Sequence, residues 1–351
     1  MAVTRQLANG NRLIDWTDEI KNVDSQFGFI SNSGLFNLKG TSQDAIQFEK
    51  SDYQITLLQE RSRRQRDTQK LSPRESDVYS LALPYFKVSD YITREDIQGY
   101  VQRGTDMTPE TAANIRMDKI EIMRQSYDMT KEYMQLSAVK GLSITPSGRV
   151  VANMFDMFGL TQETITWTLS DPDFDVIKAC RVLKTKLVKS LRTGGTIRAV
   201  EVMVGTAFFD ALIAHPQVVN VHLQMSKPDR AYYLDGGATY EQFGVSNVFE
   251  FQGIRFMTYD ATFNVTQADG SVVVQDAIDA EEGHTMIRGV NDLFRGYYGN
   301  SNKFSGANQV GSEIYLYEWD MPKDEGIEME MEFSHLYFPT QPQTLKKLVL
   351  A

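Results

Sequence analysis

Polar positions and glycines dominate the first 40 or so residues ("NSGLFNLKG"), with weak periodicity, as an extended arm reads. "DAIQFEKSDYQITLLQE" then alternates apolar and polar positions, the mark of a half-exposed strand. "ESDVYSLALPYF" reads as a second strand. A charged, proline-bearing turn separates the two, so they form a long hairpin. The hairpin gathers too few apolar residues for a core of its own, so it projects.

From Thr108 the period changes. Thr108 is placed as an N-cap with Pro109 at the first helical position, and Ile115, Ile120, Met123, Tyr127, Met134 and Ala138 recur at helical spacing up to a stop at Gly141. At about 1.5 Å per residue such a helix spans about 50 Å, which suits a spine crossing a flat plate. "SDPDFDVIKACRVLKTKLVKSLRTGG" predicts a second helix, with acids early and bases late as the helix dipole favours. Phe174, Ile177, Cys180, Leu183, Leu187 and Leu191 line its apolar face. "IRAVEVMV" reads as a buried strand, leading through Gly205-Thr206 into a short helix that Pro216 closes. "VFEFQGIRFMTYD" reads as paired strands about Gly253, and "EIYLYEWD" and "IEMEMEFSHLYF" as a hairpin turning at "MPKDEG". In its last strand Ile327, Met329, Met331 and Phe333 face one way and Glu328, Glu330 and Glu332 the other, an open charged row that no core accepts.

The chain has 351 residues, 42% hydrophobic and 23% charged, enough for a sizeable core in two domains or in one with large excursions. No apolar run approaches the roughly eighteen residues of a membrane span, and the N-terminus lacks the apolar stretch of a signal peptide. With one cysteine, Cys180, neither an internal disulfide nor a cysteine-built metal site is expected. The chain reads as soluble and cytosolic in origin. There are 36 basic against 46 acidic residues, a formal charge of -10, which excludes nucleic-acid wrapping as a main function.

Chemistry is sparse. His215, His222, His284 and His335 fall in no ligand spacing, and structural or surface roles are expected for them. Cys180 sits on an apolar helix face, where it reads as a small buried hydrophobe. "RTGGTIR" lacks the Gly-Lys-Ser/Thr of a phosphate loop and "GTAFFDAL" lacks the nucleophile elbow. The acids Asp276, Asp279, Glu281 and Glu282 read as a solvated loop rather than a calcium site. No catalytic residue, cofactor site or metal site is expected.

Charge placement is the informative signal. Residues 61–74 carry six bases (Arg61, Arg63, Arg64, Arg66, Lys70, Arg74) against one acid, and residues 320–332 carry six acids, Glu328, Glu330 and Glu332 among them, against one base. Two independent solvated surfaces would look the same. A basic hairpin lying on the acidic face of the next subunit is the sharper reading, and makes these nine residues candidate intersubunit contacts.

The order of parts resembles the major capsid protein of tailed bacteriophages, lambda-type (phage capsid protein E family). The likeness is carried by "LPYFKVSDYITREDIQGYVQRG", "MRQSYDMTKEYMQLSAVKG", "TWTLSDPDFDVIKACRVLKTKL", "VEVMVGTAFFDALIAHPQV", "FEFQGIRFMTYD" and "SHLYFPTQPQTLKKLVLA". "GYYGNSNKFSGANQ" departs from the more proline-rich segment of the family pattern. The resemblance implies an α+β shell-protein fold. Its parts are an N-terminal arm (1–40), an extended hairpin or E-loop (41–87), a peripheral domain with the spine helix (82–142 and 305–351) and an axial α/β domain (143–304). It further implies a non-enzymatic subunit that assembles with itself in pentamers and hexamers into the icosahedral shell around double-stranded phage DNA, contacting that DNA only non-specifically. Portal, scaffolding and decoration proteins are the implied partners, with no membrane, and assembly is implied in the host cytoplasm. A tail or decoration subunit is the alternative, and a soluble α/β enzyme a weaker one.

Overall fold

A computed structural model of the chain describes residues 3–6, 12–15, 17, 20, 28–51, 76–98, 112–191, 195–224, 245–266 and 271–351. Two sheets organise these residues. The seven-stranded sheet runs β1 (Val3–Gln6), β2 (Arg12–Asp15), β17 (Tyr315–Asp320), β18 (Gly326–Pro339), β16 (Phe294–Tyr298) and β3 (Asn37–Gly40), with β6 (Tyr85–Thr93) also paired to β18. The six-stranded sheet runs β11 (Val245–Phe251), β12 (Ile254–Tyr259), β10 (Ala199–Val204), β15 (Glu282–Arg288), β19 (Lys347–Leu350) and β9 (Thr164–Trp167). Three small hairpins complete the strands: β4 (Ala45–Ser51) with β5 (Ser76–Ala82), β7 (Leu142–Ile144) with β8 (Val150–Asn153), and β13 (Thr262–Thr266) with β14 (Val272–Asp276).

The helices are α1 (Phe29–Asn32), α2 (Arg94–Ile97), α3 (Ala112–Val139), α4 (Met154–Met157), α5 (Val176–Ser190), α6 (Thr206–Ala214) and α7 (Pro216–Gln224). The expected spine is α3, whose 28 residues span about 42 Å; the predicted cap at Thr108-Pro109 lies outside the described residues. Gly141 takes φ +91° just past its end, a conformation that costs glycine nothing, and a Cβ there would meet the Phe155 ring. The spine serves two cores. Ile120, Met123 and Tyr127 pack with Ile92, Leu316, Met329, Met331 and Phe333 under the seven-stranded sheet. Met134, Leu136, Ala138 and Val139 belong to the larger core around the six-stranded sheet. In α5 the predicted apolar face is buried at Cys180, Leu183 and Leu187, and Asp175 caps the helix by accepting from the Lys178 N–H.

Three expectations need correction. Pro216 does not simply close α6: it opens α7, where its missing N–H leaves no bond unmade. The glutamates of β18 are not a uniformly open row: Glu330 is 4% exposed and Glu332 1%. The described parts of the first 40 residues are not extended throughout: Phe29–Asn32 is helical, while β1 and β2 form an antiparallel pair and β2 pairs with β17. Residues 347–350 pair within the six-stranded sheet and 294–298 within the seven-stranded one.

Candidate functional site

The described part of the basic hairpin pairs as its alternation predicted; the rest of the first predicted strand lies outside the described residues, and the second ends at Ala82, with Tyr85 and Phe86 in β6. Strands β4 and β5 pair from Ala45–Ala82 at the root to Ser51–Ser76 at the last described pair. Its root is anchored by Phe48, which stacks on Tyr79 at 5.7 Å and on Phe338 of β18 at 5.3 Å, and by Ile46 and Leu81 in a small core with Met154 and Leu336. Arg61, Arg63, Arg64, Arg66, Lys70 and Arg74 all lie outside the described residues, in the segment joining the outer ends of the two strands.

The acidic strand has its own cover. Across the seven-stranded sheet Glu328, Glu330 and Glu332 stand opposite Trp319, Tyr317 and Tyr315 on one side, and Tyr91, Ser89 and Lys87 on the other. The chain from Gly299 to Gly311 folds over this face. Ser301 donates to Glu332, the Asn302 N–H donates to the same oxygen at 3.1 Å, and the Tyr85 hydroxyl donates to its second oxygen at 2.6 Å. Glu330 is paired with Lys303 and, at 2.5 Å, with Lys87. The Lys303 ammonium also sits 4.4 Å from the Trp319 ring centroid. Burial and then the bond to Glu332 push the Tyr85 phenol well above its ordinary value, so it stays a donor. Two carboxylates thus become structural because cations and donors close on them. Glu328 is only half-buried. Glu332→Ala leaves three donors without their acceptor and is expected to cost about 3 kcal/mol, whereas Glu328→Gln is expected to stay within about 0.5 kcal/mol; paired urea titrations check the difference.

The remaining candidates fall as follows. His215 caps the end of α6 and is buried, and His284 and His335 are buried as well; the side chain of His222 lies outside the described residues. Cys180 is fully buried and burial pushes its thiol up to about 12, so it is inert at neutral pH. In the acidic loop, Asp276, Asp279 and Glu281 are exposed, while Glu282 pairs with Lys347 and His284. His284, 3.7 Å away, and then Lys347 hold the Glu282 carboxyl down at about 2 against burial. Among the described residues no group of three or more His, Cys, Asp or Glu could hold a metal ion, and no helix is long and apolar enough to cross a membrane.

Sequence reasoning missed the polar fastenings of the spine. Glu132, fully buried, accepts from the N–H groups of Ile30 and Ser31 at 2.8 Å each and from the Tyr259 hydroxyl at 2.8 Å, tying α1 and the six-stranded sheet to α3. Arg116 holds Glu318 of β17 through two nitrogens, at 2.7 and 3.0 Å. His335 Nε2 lies 2.6 Å from the Glu313 carbonyl oxygen, which can only accept, so that nitrogen carries the proton and Nδ1 accepts from Tyr337 at 2.9 Å. A heptad-like polar residue on a long helix gives no sign of a distant partner, so only the scarcity of solvent around the spine could have pointed to these.

Residues 15–350 match the family described as Phage major capsid protein E. The chain is 29% identical over 349 residues to the major capsid protein of Salmonella phage Felix O1, covering 95% of this chain and 94% of that one. It is 26% identical to the major capsid protein of Pseudomonas phage KPP10, covering 97% of each. Among solved structures, the mature capsid of bacteriophage PhiM1 aligns with a TM-score of 0.53 at 13% identity, covering 94% of this chain and 90% of that one. The capsid of Myoviridae phage XM1 aligns with a TM-score of 0.52 at 9% identity over 95% of each. These likenesses share the tailed-phage capsid fold.

Proposed function

The chain belongs to the phage major capsid protein E family and is a subunit of the phage virion's head shell; on that premise we propose how the shell closes. Copies meet in rings of five and six, and the β4–β5 hairpin straps each subunit to a neighbour. The observation that carries this is the hairpin itself. Its root is packed on its own subunit, while the six bases of 61–74 lie beyond its last described pair. Six bases against one acid between two paired strands, in a chain of net charge -10, are suited to meet an acidic surface on another copy.

The acidic surface they meet is centred on Glu328 with the exposed Asp320 and Glu325. Glu330 and Glu332 lie beneath it, already held by Lys87, Lys303, Tyr85 and Ser301. In this arrangement residues 1–40 and 41–87 act as straps. The seven-stranded sheet with the first half of α3 forms the peripheral domain, and the six-stranded sheet with α5, α6 and α7 the axial one. Many weak identical contacts of this kind close by symmetry and gain strength by repetition.

The same reading makes portal, scaffolding and decoration proteins its further partners and the host cytoplasm the site of assembly. Packaged double-stranded DNA is a content touched without specificity, as a net charge of -10 favours. We infer no catalytic role: the carboxylates beside the 299–311 cover are neutralised or hydrogen-bonded within the subunit. Electron microscopy and sedimentation of the protein, produced with the head-assembly proteins of its phage across a salt series, test the arrangement. Closed shells with rings of five and six, weakened by salt, are the expected outcome. A monomer under all conditions overturns it.

A further inference from the structure

Strand β14 is exposed at all five positions, with Val272 at 62% and Val274 at 63%, and Val273 between them on the opposite side at 46%. Among the described residues it pairs only with β13, and no described strand covers its outer edge. The hairpin is nonetheless fixed in place: β13 buries Phe263 and Val265, and the Phe263 ring meets Tyr133 of α3 edge-on at 5.3 Å. Three consecutive valines on an open edge, with neither lysine nor proline to blunt them, are a surface prepared for another chain. Acids follow directly: Asp276, Asp279 and Glu281 are all exposed.

The outward face of α5 has the opposite character. Lys178, Arg181, Val182, Thr185, Val188 and Lys189 form one stripe at steps of three and four, and all are exposed, Val182 at 42% and Val188 at 59%. The whole helix carries five bases and no acid, in a chain whose net charge is -10. Two of the five are engaged within the subunit, Lys184 with the Gln252 carbonyl and Lys186 with Glu163. The other three remain on the stripe with the valines. A phosphate backbone wants bases and hydroxyls and has no use for the valines, whereas a strand carrying valines followed by acids uses both.

We propose that the exposed face of α5 in one subunit docks against β14 and its acidic end in a second copy of this chain. The proposal deepens the ring arrangement above and rests on it. The lengths agree: Lys178 to Lys189 is about 17 Å along a helix and Val272 to Asp276 about 13 Å along a strand. The placement agrees as well. The parallel register Val202–Phe256 and Met203–Met257 separates the two faces of the six-stranded sheet. On the Phe256 face lie Trp167, at 6.0 Å, and Phe208 of α6, at 5.7 Å from Trp167. The Ile177 N–H of α5 donates to Gln217 of α7, which continues from α6. On the other face Tyr259 reaches Glu132 of α3, the helix on which β13 rests. The acidic end reaches the start of α6, where the Phe208 N–H donates to the Ala280 carbonyl, but the two patches are distinct surfaces of one subunit. Unlike patches make a head-to-tail contact, which closes into rings when the rotation allows.

Charge exchange tests the pairing in the full chain, produced with the head-assembly proteins of its phage. K178E/R181E/K189E and D276K/D279K/E281K should each fold with unchanged circular dichroism and each yield at least tenfold fewer closed shells than the unaltered chain. Their combination in one chain should restore closed shells. A mixture of the two should succeed only where unlike subunits alternate, giving six-membered but not five-membered rings, and hence tubes or sheets rather than closed shells. Either one-sided variant assembling as well as the unaltered chain overturns the contact, and so does a folded sextuple variant that makes no shells. Normal shells from K178E/R181E/K189E with weakened retention on double-stranded DNA would assign the stripe to nucleic acid and overturn it too. If the unaltered chain makes no rings in the same experiment, it is the ring arrangement itself that falls.

Discussion

Replacing Arg61, Arg63, Arg64 and Arg66 together with glutamate is expected to abolish closed shells while leaving the subunit folded. The change moves the formal charge eight units below -10. It falls beyond the packed root of the hairpin, where Phe48, Ile46 and Leu81 make the stabilising contacts. Exposed pairs contribute only about 0–1 kcal/mol each. Reversal replaces attraction by repulsion, so four residues amount to roughly 4 kcal/mol per subunit contact, about a thousandfold in association. A ring applies that loss at every contact. Sedimentation velocity should show subunits in place of shells, with an unaltered thermal transition, and partial recovery in high salt as screening shortens the repulsion. Shells indistinguishable from those of the unaltered chain would remove the strap contact from the proposal.

The second large effect is acid lability of the subunit. His335 is fully buried, and burial pulls its pKa down to about 3; burial lowers His284 as well. Below the ordinary histidine value near 6.5 the unfolded chain takes up protons that the folded one refuses. For His335 stability therefore falls as pH drops from about 6.5 toward 3, by about 1.4 kcal/mol per pH unit, and His284 acts in the same direction. At pH 4.5 His335 alone accounts for roughly 3 kcal/mol. Glu313 adds a later loss. Burial pushes its carboxyl up, but Lys131 and the Tyr127 hydroxyl outweigh that and hold it at about 2, so its contribution, full above the unfolded value, fades as pH falls toward 2. Urea midpoints at pH 7.5, 6.0 and 4.5 should fall steeply, and His335→Gln should flatten the slope by about one proton. A slope unchanged in that variant would mean that His335 is protonated in the folded subunit.

The elements that follow period and punctuation were legible. The alternation through Ala45–Ser51 and Ser76–Ala82, the helical spacing of Ile120, Met123, Tyr127 and Met134, and the turn at Gly253 all reappear where the pattern put them. The resemblance carried the family, and the match over residues 15–350 agrees with it. Illegible were the fates of charges. Alternation placed Glu330 and Glu332 on the face away from the Met329 and Met331 core, which is correct, but that face has a second covering layer. The cover comes from 299–311, which overlaps the stretch 296–309 where the chain departs from the family's pattern, and nothing local to β18 signals it. Likewise Glu132 finds its three donors more than 100 residues away in sequence, at Ile30, Ser31 and Tyr259. One-dimensional patterns record which way a side chain points but not what the rest of the chain lays over it. Pro216 failed for a simpler reason: the same residue that ends one helix is well suited to begin the next.

Helix α3 runs without interruption from the core beneath one sheet into the core beneath the other, fastened by Arg116 at one end and Glu132 at the other. A change in the angle between the two sheets has to bend that helix or shift a sheet against it. The subunit is therefore a tile that resists bending between its two sheets. On a closed surface, sharply curved corners and nearly flat facets then have to be made from the same tile, with the differences in curvature taken up at the joints between copies.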